Sequence, residues 1–297
     1  MKNPLLVQIK TDDGPILPGL LYEASRPKKA MIFLHGNGST SVFYNDDQRI
    51  ELTKALNKKG VSLLMFNNRG AHYIKKLDFI NKGKLERKRF GTAYEKIKDC
   101  IKDIDAAIKF LEEKAYKEFY LIGESTGANK ICVYHFYKSD NRISKYILVS
   151  GADDMGIQYS LLGKERFYKL LNESKEKIKG NEGEELIKEL LPNEIFSYNA
   201  FYDTCNPDGD YNTFPYLEVI KKLKLSTKPL FRYVKSINKP TLVIYGGKDE
   251  YALGGGAKSA EILRQQRPDF IYRVIKNADH AFSHHQKEYA KIIVDWL

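Results

Sequence analysis

Gly123-Glu124-Ser125-Thr126-Gly127 follows the apolar run Phe119-Tyr120-Leu121-Ile122 and precedes a helix-like run from Thr126 to Lys138. A strand, then G-x-S-x-G, then a helix is the context of a nucleophile elbow. The turn from strand into helix is so sharp that a serine at its apex is held in strained backbone geometry. Side chains two residues to either side would collide with the neighbouring strand and helix, so both positions call for glycine. The serine Oγ is lifted clear of the sheet. The helix N-terminus beside it offers backbone N–H groups to any negative charge formed there.

Serine is a poor nucleophile at neutral pH and needs a base, with a third group to orient that base. The segments outside the elbow supply candidates. Apolar runs that read as strands occur at 5–10, 16–22, 30–34, 61–66, 119–122, 146–150, 241–245 and 270–275. Helical patterns fall between them at about 46–59, 92–114, 126–138, 256–266 and at the C-terminal end. In the 92–114 pattern Ile97, Ile101, Ile104, Ile108 and Leu111 form an apolar stripe. Eight strands alternating with helices predict an α/β fold with a mostly parallel sheet and helices on both faces. Chemistry in such sheets gathers at the carboxyl ends of strands. Four polar clusters lie at such ends: His35-Gly36-Asn37-Gly38-Ser39, Asn67-Asn68-Arg69-Gly70, Gly246-Gly247-Lys248-Asp249-Glu250 and Asn277-Ala278-Asp279-His280.

His280 is the candidate base and Asp249 the candidate orienter. The chain order Ser125, Asp249, His280 suits this kind of fold. The aspartate is expected to bind imidazole Nδ1–H, set the tautomer and stabilise the imidazolium. Asp153 and Asp154 compete for the acid role, since they follow the strand at 146–150. His284 and His285 compete with His280, and read instead as the solvated start of the last helix. The oxyanion donors are expected to be the backbone N–H groups of Thr126 and Asn37. His35 reads as a brace for its loop, and Arg69 as a loop-shaping residue with a possible role in binding substrate.

His35-Gly36-Asn37-Gly38, Asn68-Arg69-Gly70, Gly123-Glu124-Ser125-Thr126-Gly127, Gly246-Gly247-Lys248-Asp249 and Asp279-His280 together resemble the α/β-hydrolase superfamily. The resemblance covers 1–155 and 238–297, which form the expected core domain. It leaves 156–237 as an insertion, where a helical cap usually stands in this superfamily. Asn-Asn-Arg-Gly with Gly-x-Ser-Thr-Gly is more narrowly similar to a group that includes siderophore esterases, although Glu124 stands where histidine is common there. The resemblance implies a serine hydrolase without naming its substrate; within that range a small-molecule carboxylic ester is expected, no cofactor is expected, and no His, Cys or Glu grouping has metal-ligand spacing. A thioesterase, an acyltransferase or a non-catalytic binding member of the fold is the alternative.

The remaining readings concern environment and substrate. The 297 residues carry 49 basic and 38 acidic side chains, a net charge of +11. Residues 75–89 hold seven basic and two acidic residues, and 221–239 hold seven basic and none acidic. No nucleic-acid motif accompanies them, so a nucleic-acid partner is not expected. Residues 75–89 read as a long loop near the pocket, which suggests a substrate with a negative group at the mouth. Cys100, Cys132 and Cys205 are scattered, as in reduced cytoplasmic proteins. There is no signal-peptide pattern and no apolar run long enough to span a membrane. Within the insertion, Leu161, Phe167, Leu170 and Leu171 are expected to pack on the core domain. Phe196, Tyr198, Phe201, Tyr202, Tyr211, Phe214 and Tyr216 crowd a turn-rich stretch, and Tyr198 and Tyr202 are candidates to line the pocket.

Overall fold

The computed structural model describes residues 3–25, 28–38, 40–44 and 47–297. Ser39 of the first glycine-rich loop and residue 46 of the expected 46–59 helix lie outside these. Ten strands occur among the described residues: β1 (Leu5–Lys10), β2 (Ile16–Tyr22), β3 (Lys29–Leu34), β4 (Val61–Phe66), β5 (Lys75–Asn81), β6 (Lys84–Phe90), β7 (Glu118–Glu124), β8 (Ile143–Val149), β9 (Thr241–Gly246) and β10 (Ile271–Ile275). The helices are α1 (Asp47–Lys58), α2 (Cys100–Glu113), α3 (Thr126–Tyr137), α4 (Asp154–Leu162), α5 (Lys164–Lys179), α6 (Tyr198–Cys205), α7 (Tyr216–Lys221), α8 (Arg232–Ser236), α9 (Gly256–Gln266) and α10 (Gln286–Trp296).

Eight strands form one sheet in the order β1-β2-β4-β3-β7-β8-β9-β10. β2 runs antiparallel to both β1 and β4, and the other pairs are parallel. This is the mostly parallel α/β sheet expected from the strand pattern. Alternate residues of the inner strands face opposite ways. Ala30, Ile32, Leu34, Phe119 and Leu121 enter one core, with Ile104 and Leu111 of α2 and Ile131 of α3. Met31, Phe33, Tyr120 and Ile122 enter a second core, with Leu52 and Leu56 of α1 and Tyr289 and Ile293 of α10. Burial on both faces explains why these strands read as unbroken apolar runs.

The sequence expectation needs correction in two segments. Residues 75–89 form the antiparallel hairpin β5–β6 rather than a loop. Lys82 and Gly83 turn it with φ of 47° and 80°. Leu77 is buried, and the Lys88 ammonium lies 3.7 Å from the centroid of the Phe79 ring. The period-two pattern was diluted by the exposed Lys76, Lys82, Lys84 and Lys88. The helix expected from residue 92 begins at Cys100, after 3-10 turns at Thr92–Tyr94 and Ile97–Asp99. Between those turns Glu95 is extended, and its buried carboxylate meets buried Lys130 at 2.6 Å.

The insertion has two parts. Met155, Phe167, Leu170, Ile187, Leu190, Phe196 and Phe201 make a small core of their own, while Leu161 is 66% exposed. Tyr211, Phe214, Tyr216, Phe231 and Tyr233 join the core shared by α2 and α3 instead. Among the described residues, no helix is long and apolar enough to cross a membrane. All three cysteines are buried and unpaired.

Candidate active site

Ser125 has φ 54° and ψ −126°, between the end of β7 and the start of α3. Non-glycine residues rarely adopt this conformation, so it stores strain. The glycines around it are required by contact. A Cβ on Gly123 would lie 2.2 Å from the Gly127 carbonyl oxygen, and one on Gly127 would lie 2.2 Å from that of Leu34. A Cβ on Gly36 would come within 2.9 Å of Ser125 Cβ.

Asp249 and His280 are brought together by the loops after β9 and β10. Gly247 N–H donates to Ile275 O and Lys248 N–H to Ala278 O, each at 2.8 Å. A Cβ on Gly246 would strike Asp279 O at 2.3 Å, so only glycine allows this approach. His280 Nδ1 meets Asp249 Oδ1 at 2.8 Å. The Tyr251 ring packs edge-on against the imidazole at 4.8 Å. Burial pushes the His280 pKa down most strongly, but the Asp249 hydrogen bond and charge, with Glu250 and Glu124, outweigh it and raise the pKa overall. Ser125 and His280 line one cavity of about 520 Å³.

The competing residues are engaged elsewhere. Asp153 caps α4 by accepting from Gly156 N–H and also accepts from Leu217 N–H. Asp154 accepts from Thr126 Oγ1 at 3.2 Å. His285 lies 3.4 Å from Glu288.

Asn37 and Thr126 both line the cavity. Neither backbone N–H has a hydrogen-bond partner among the described residues, so both are free to meet an oxyanion. Several bonds hold the Asn37 loop. His35 Nε2 accepts from Asn68 N–H, so its Nδ1 carries the proton and donates to Gly36 O at 2.7 Å. Burial first, then the nearby Lys130 charge, keeps that imidazole neutral. Thr92 Oγ1 accepts from Gly38 N–H and donates to Gly70 O. Asn37 Nδ2 donates to the Tyr211 hydroxyl at 2.5 Å.

Three residues expected near substrate lie elsewhere. Arg69 is buried and ion-paired, 2.7 Å from Asp103 and 2.9 Å from Asp13. Its backbone N–H and four guanidinium hydrogen bonds to Asp13 and Asp103 tie the β1–β2 turn and α2 to the loop after β4, and it does not line the cavity. Tyr198 points its hydroxyl at Glu173. Tyr202, on the same helix, does not line the cavity either; Phe196 is the ring of that stretch which does. No residue of the basic hairpin lines it, because β5–β6 packs beside the β1–β2 turn, with Ile80 N–H donating to Gly14 O. The walls carry Glu124, Asp154 and Glu194 instead, which removes the ground for a negative group on the substrate.

Among the described residues, no group of three His, Cys, Asp or Glu side chains could hold a metal ion. The family model for serine aminopeptidase, S33, matches residues 25–287. The chain belongs to that family. S33 serine aminopeptidases are α/β hydrolases, in agreement with the sheet order and the elbow. No curated protein matches this S33 member. Among solved structures it resembles Est1E from Butyrivibrio proteoclasticus with ferulic acid bound, at TM-score 0.63 and 16% identity over 98% of this chain and 97% of that one. It also resembles the Pyrococcus furiosus esterase Pf2001, at TM-score 0.55 and 20% identity over 99% and 90%. A soluble variant of Saccharomyces cerevisiae monoglyceride lipase, complexed with a substrate analog, gives TM-score 0.62 and 13% identity over 100% and 95%. At identities this low the likeness shows the fold alone.

Tyr211, Gln158 and Glu194 were not singled out from the sequence. Tyr211 is one ring in an aromatic-rich stretch, and nothing local marks it as the partner of a residue 174 positions earlier.

Proposed function

We propose that the protein is a serine hydrolase that cleaves a carboxylic ester through an acyl-enzyme. The observation that carries this reading is the 2.8 Å contact between buried Asp249 and His280 Nδ1, with His280 lining the same cavity as the strained Ser125. With Nδ1–H held by the carboxylate, Nε2 is the basic nitrogen. It takes the Ser125 proton as Oγ attacks the ester carbonyl. The backbone N–H groups of Asn37 and Thr126 receive the oxyanion. The imidazolium then gives its proton to the leaving alkoxide, and water repeats the sequence to release the acid. The small separate core of 155–205 suits a lid over the serine, with Phe196 contributing an apolar surface. The similarity to Est1E and to the lipase supports ester chemistry over the family's peptidase description.

A fluorophosphonate probe tests the reading without knowledge of the substrate. Wild-type protein is expected to be labelled at Ser125, and Ser125→Ala to remain unlabelled. A panel of p-nitrophenyl esters and matched thioesters then separates esterase from thioesterase activity. Wild-type protein that resists the probe would contradict the proposal and favour a non-catalytic binding role.

A further inference from the structure

The β5–β6 hairpin carries a surface that hydrolysis at Ser125 does not use. The two strands form a sheet of their own, with no third strand among the described residues. The inner face is anchored. Leu77 is buried in the main core, Phe90 packs against that core, and Phe79 bridges to Pro15 of the β1–β2 turn. A Cβ on Gly14 would lie 2.6 Å from Ile80 O, so turn and hairpin are in close contact.

Successive side chains of a strand point to opposite faces, so Lys76, Asp78, Ile80, Leu85, Arg87 and Arg89 share the outer face, and all are exposed. Ile80 and Leu85 stand directly opposite each other beside the turn, 37% and 68% exposed. A lone exposed leucine is ordinary on a protein surface, but an apolar cross-strand pair at the tip of a charged hairpin is not. Cations surround the pair. Lys82 and Lys84 occupy the turn, and Lys76, Arg87, Lys88 and Arg89 stand along the strands. The carboxylates of the hairpin are engaged within it: Asp78 lies 3.4 Å from Arg87, and Glu86 accepts from Asn81 and lies 3.9 Å from Lys88. On the neighbouring turn, Asp12 pairs with Lys109, and Asp13 with Arg69 and Lys102. Lys76, Lys82 and Lys84 meet no carboxylate within ion-pair distance among the described residues.

Residues 76–88 line none of the cavities beside Ser125, Arg69, His284 or Phe43. The tip projects, and suits a broad surface better than a narrow chain. No aromatic ring stands on the outer face to stack a nucleic-acid base. An apolar pair ringed by lysine and arginine matches the boundary of an anionic bilayer, where apolar side chains sink below the headgroups and long basic ones reach the phosphates.

We propose that the β5–β6 hairpin docks the protein on anionic lipid bilayers, with Ile80 and Leu85 entering the headgroup region and Lys76, Lys82, Lys84 and Arg87 meeting lipid phosphates. β5 begins shortly after Tyr73, which lines the cavity, so docking holds the cavity close to the bilayer. Docking is independent of the chemistry at Ser125.

Co-sedimentation with vesicles of phosphatidylcholine, alone or mixed equally with phosphatidylglycerol, tests this. Wild-type protein is expected to bind the mixed vesicles about tenfold or more tightly than the neutral ones, and salt should weaken that binding. Lys82→Glu with Lys84→Glu should abolish the preference. Lys221→Glu with Lys224→Glu makes the same change of net charge on the insertion, where Ile220 reaches the loop after β9, and should leave most of it. Ile80→Ser with Leu85→Ser changes no charge and should weaken binding to mixed vesicles by about tenfold. All these side chains are exposed, and thermal unfolding checks that each variant folds. Leu85→Trp adds a direct readout: its emission should shift to the blue on mixed vesicles only, against the background of Trp296. Three results overturn the docking. Absence of a preference for mixed vesicles leaves the hairpin to an acidic protein. Equal weakening by the two charge reversals shows diffuse attraction by the net charge of +11. Full binding by Ile80→Ser with Leu85→Ser, without a blue shift in Leu85→Trp, shows adsorption without entry of the tip.

Discussion

The side-chain amide of Asn37 donates a 2.5 Å hydrogen bond to the hydroxyl of Tyr211. Asn37 follows the third strand of the sheet, and Tyr211 belongs to the insertion after β8. One bond therefore couples the loop proposed to hold an oxyanion donor to the insertion. Tyr211 is 3% exposed and packs in the main core, so it is a fixed anchor. Removing its hydroxyl leaves a buried amide unsatisfied and frees the loop. Tyr211→Phe is expected to lower kcat by about tenfold with little change in KM, less than the 10²–10³ typical of losing an oxyanion donor outright. Steady-state kinetics on a neutral p-nitrophenyl ester would decide it; an unchanged kcat would show that the loop holds its geometry alone.

In the proposed mechanism His280 must be neutral to accept the serine proton. Its pKa is raised above the ordinary 6.5 because the Asp249 bond and charge, with Glu250 and Glu124, outweigh burial. Activity is therefore expected to rise with pH through a midpoint above 6.5 and to fall away below it. Asp249→Asn removes two raising effects and leaves burial in place. Its kcat should drop by about 10⁴-fold, and the midpoint of the residual activity should move to lower pH. A pH–rate profile in which that midpoint stayed or rose would argue against Asp249 as the partner.

Gly127→Ala tests the packing of the elbow. The new Cβ meets the Leu34 carbonyl at 2.2 Å, and neither backbone can yield without parting α3 from β3. The variant is expected to lose about 1–3 kcal/mol in denaturant unfolding and to lose fluorophosphonate labelling. Normal stability together with normal labelling would contradict the close approach.

Arg69→Ala separates a structural role from a substrate role. The change strands Asp103, whose side chain is 1% exposed, without its cation. A loss of about 3–5 kcal/mol is expected from an uncompensated buried charge. KM measured on the folded fraction should be unchanged. A raised KM with intact stability would return Arg69 to the substrate.

The strands of the main sheet, the elbow and the Asp249–His280 partnership were legible because each has a local signature. Apolar runs, turn glycines and polar residues at strand ends are dictated by backbone geometry within a few residues. Sequence periodicity misread the segment 75–89, because solvated lysine side chains hid the buried Leu77 and the half-buried Phe79. It also assigned substrate roles to Tyr198, Tyr202 and Arg69 that depended on where an insertion and a loop would land.

By itself, then, the sequence determined an eight-stranded α/β sheet with a serine at a glycine-flanked elbow and with Asp249 and His280 in the later loops. Tertiary structure alone decided the rest: that Tyr211 holds Asn37, that Arg69 is consumed by Asp103 and Asp13, and that carboxylates line the cavity where cations were expected. The physical reason is range. Backbone geometry writes its demands into neighbouring residues, whereas a cavity wall is assembled from side chains far apart in the chain, chosen by how the insertion packs on the sheet.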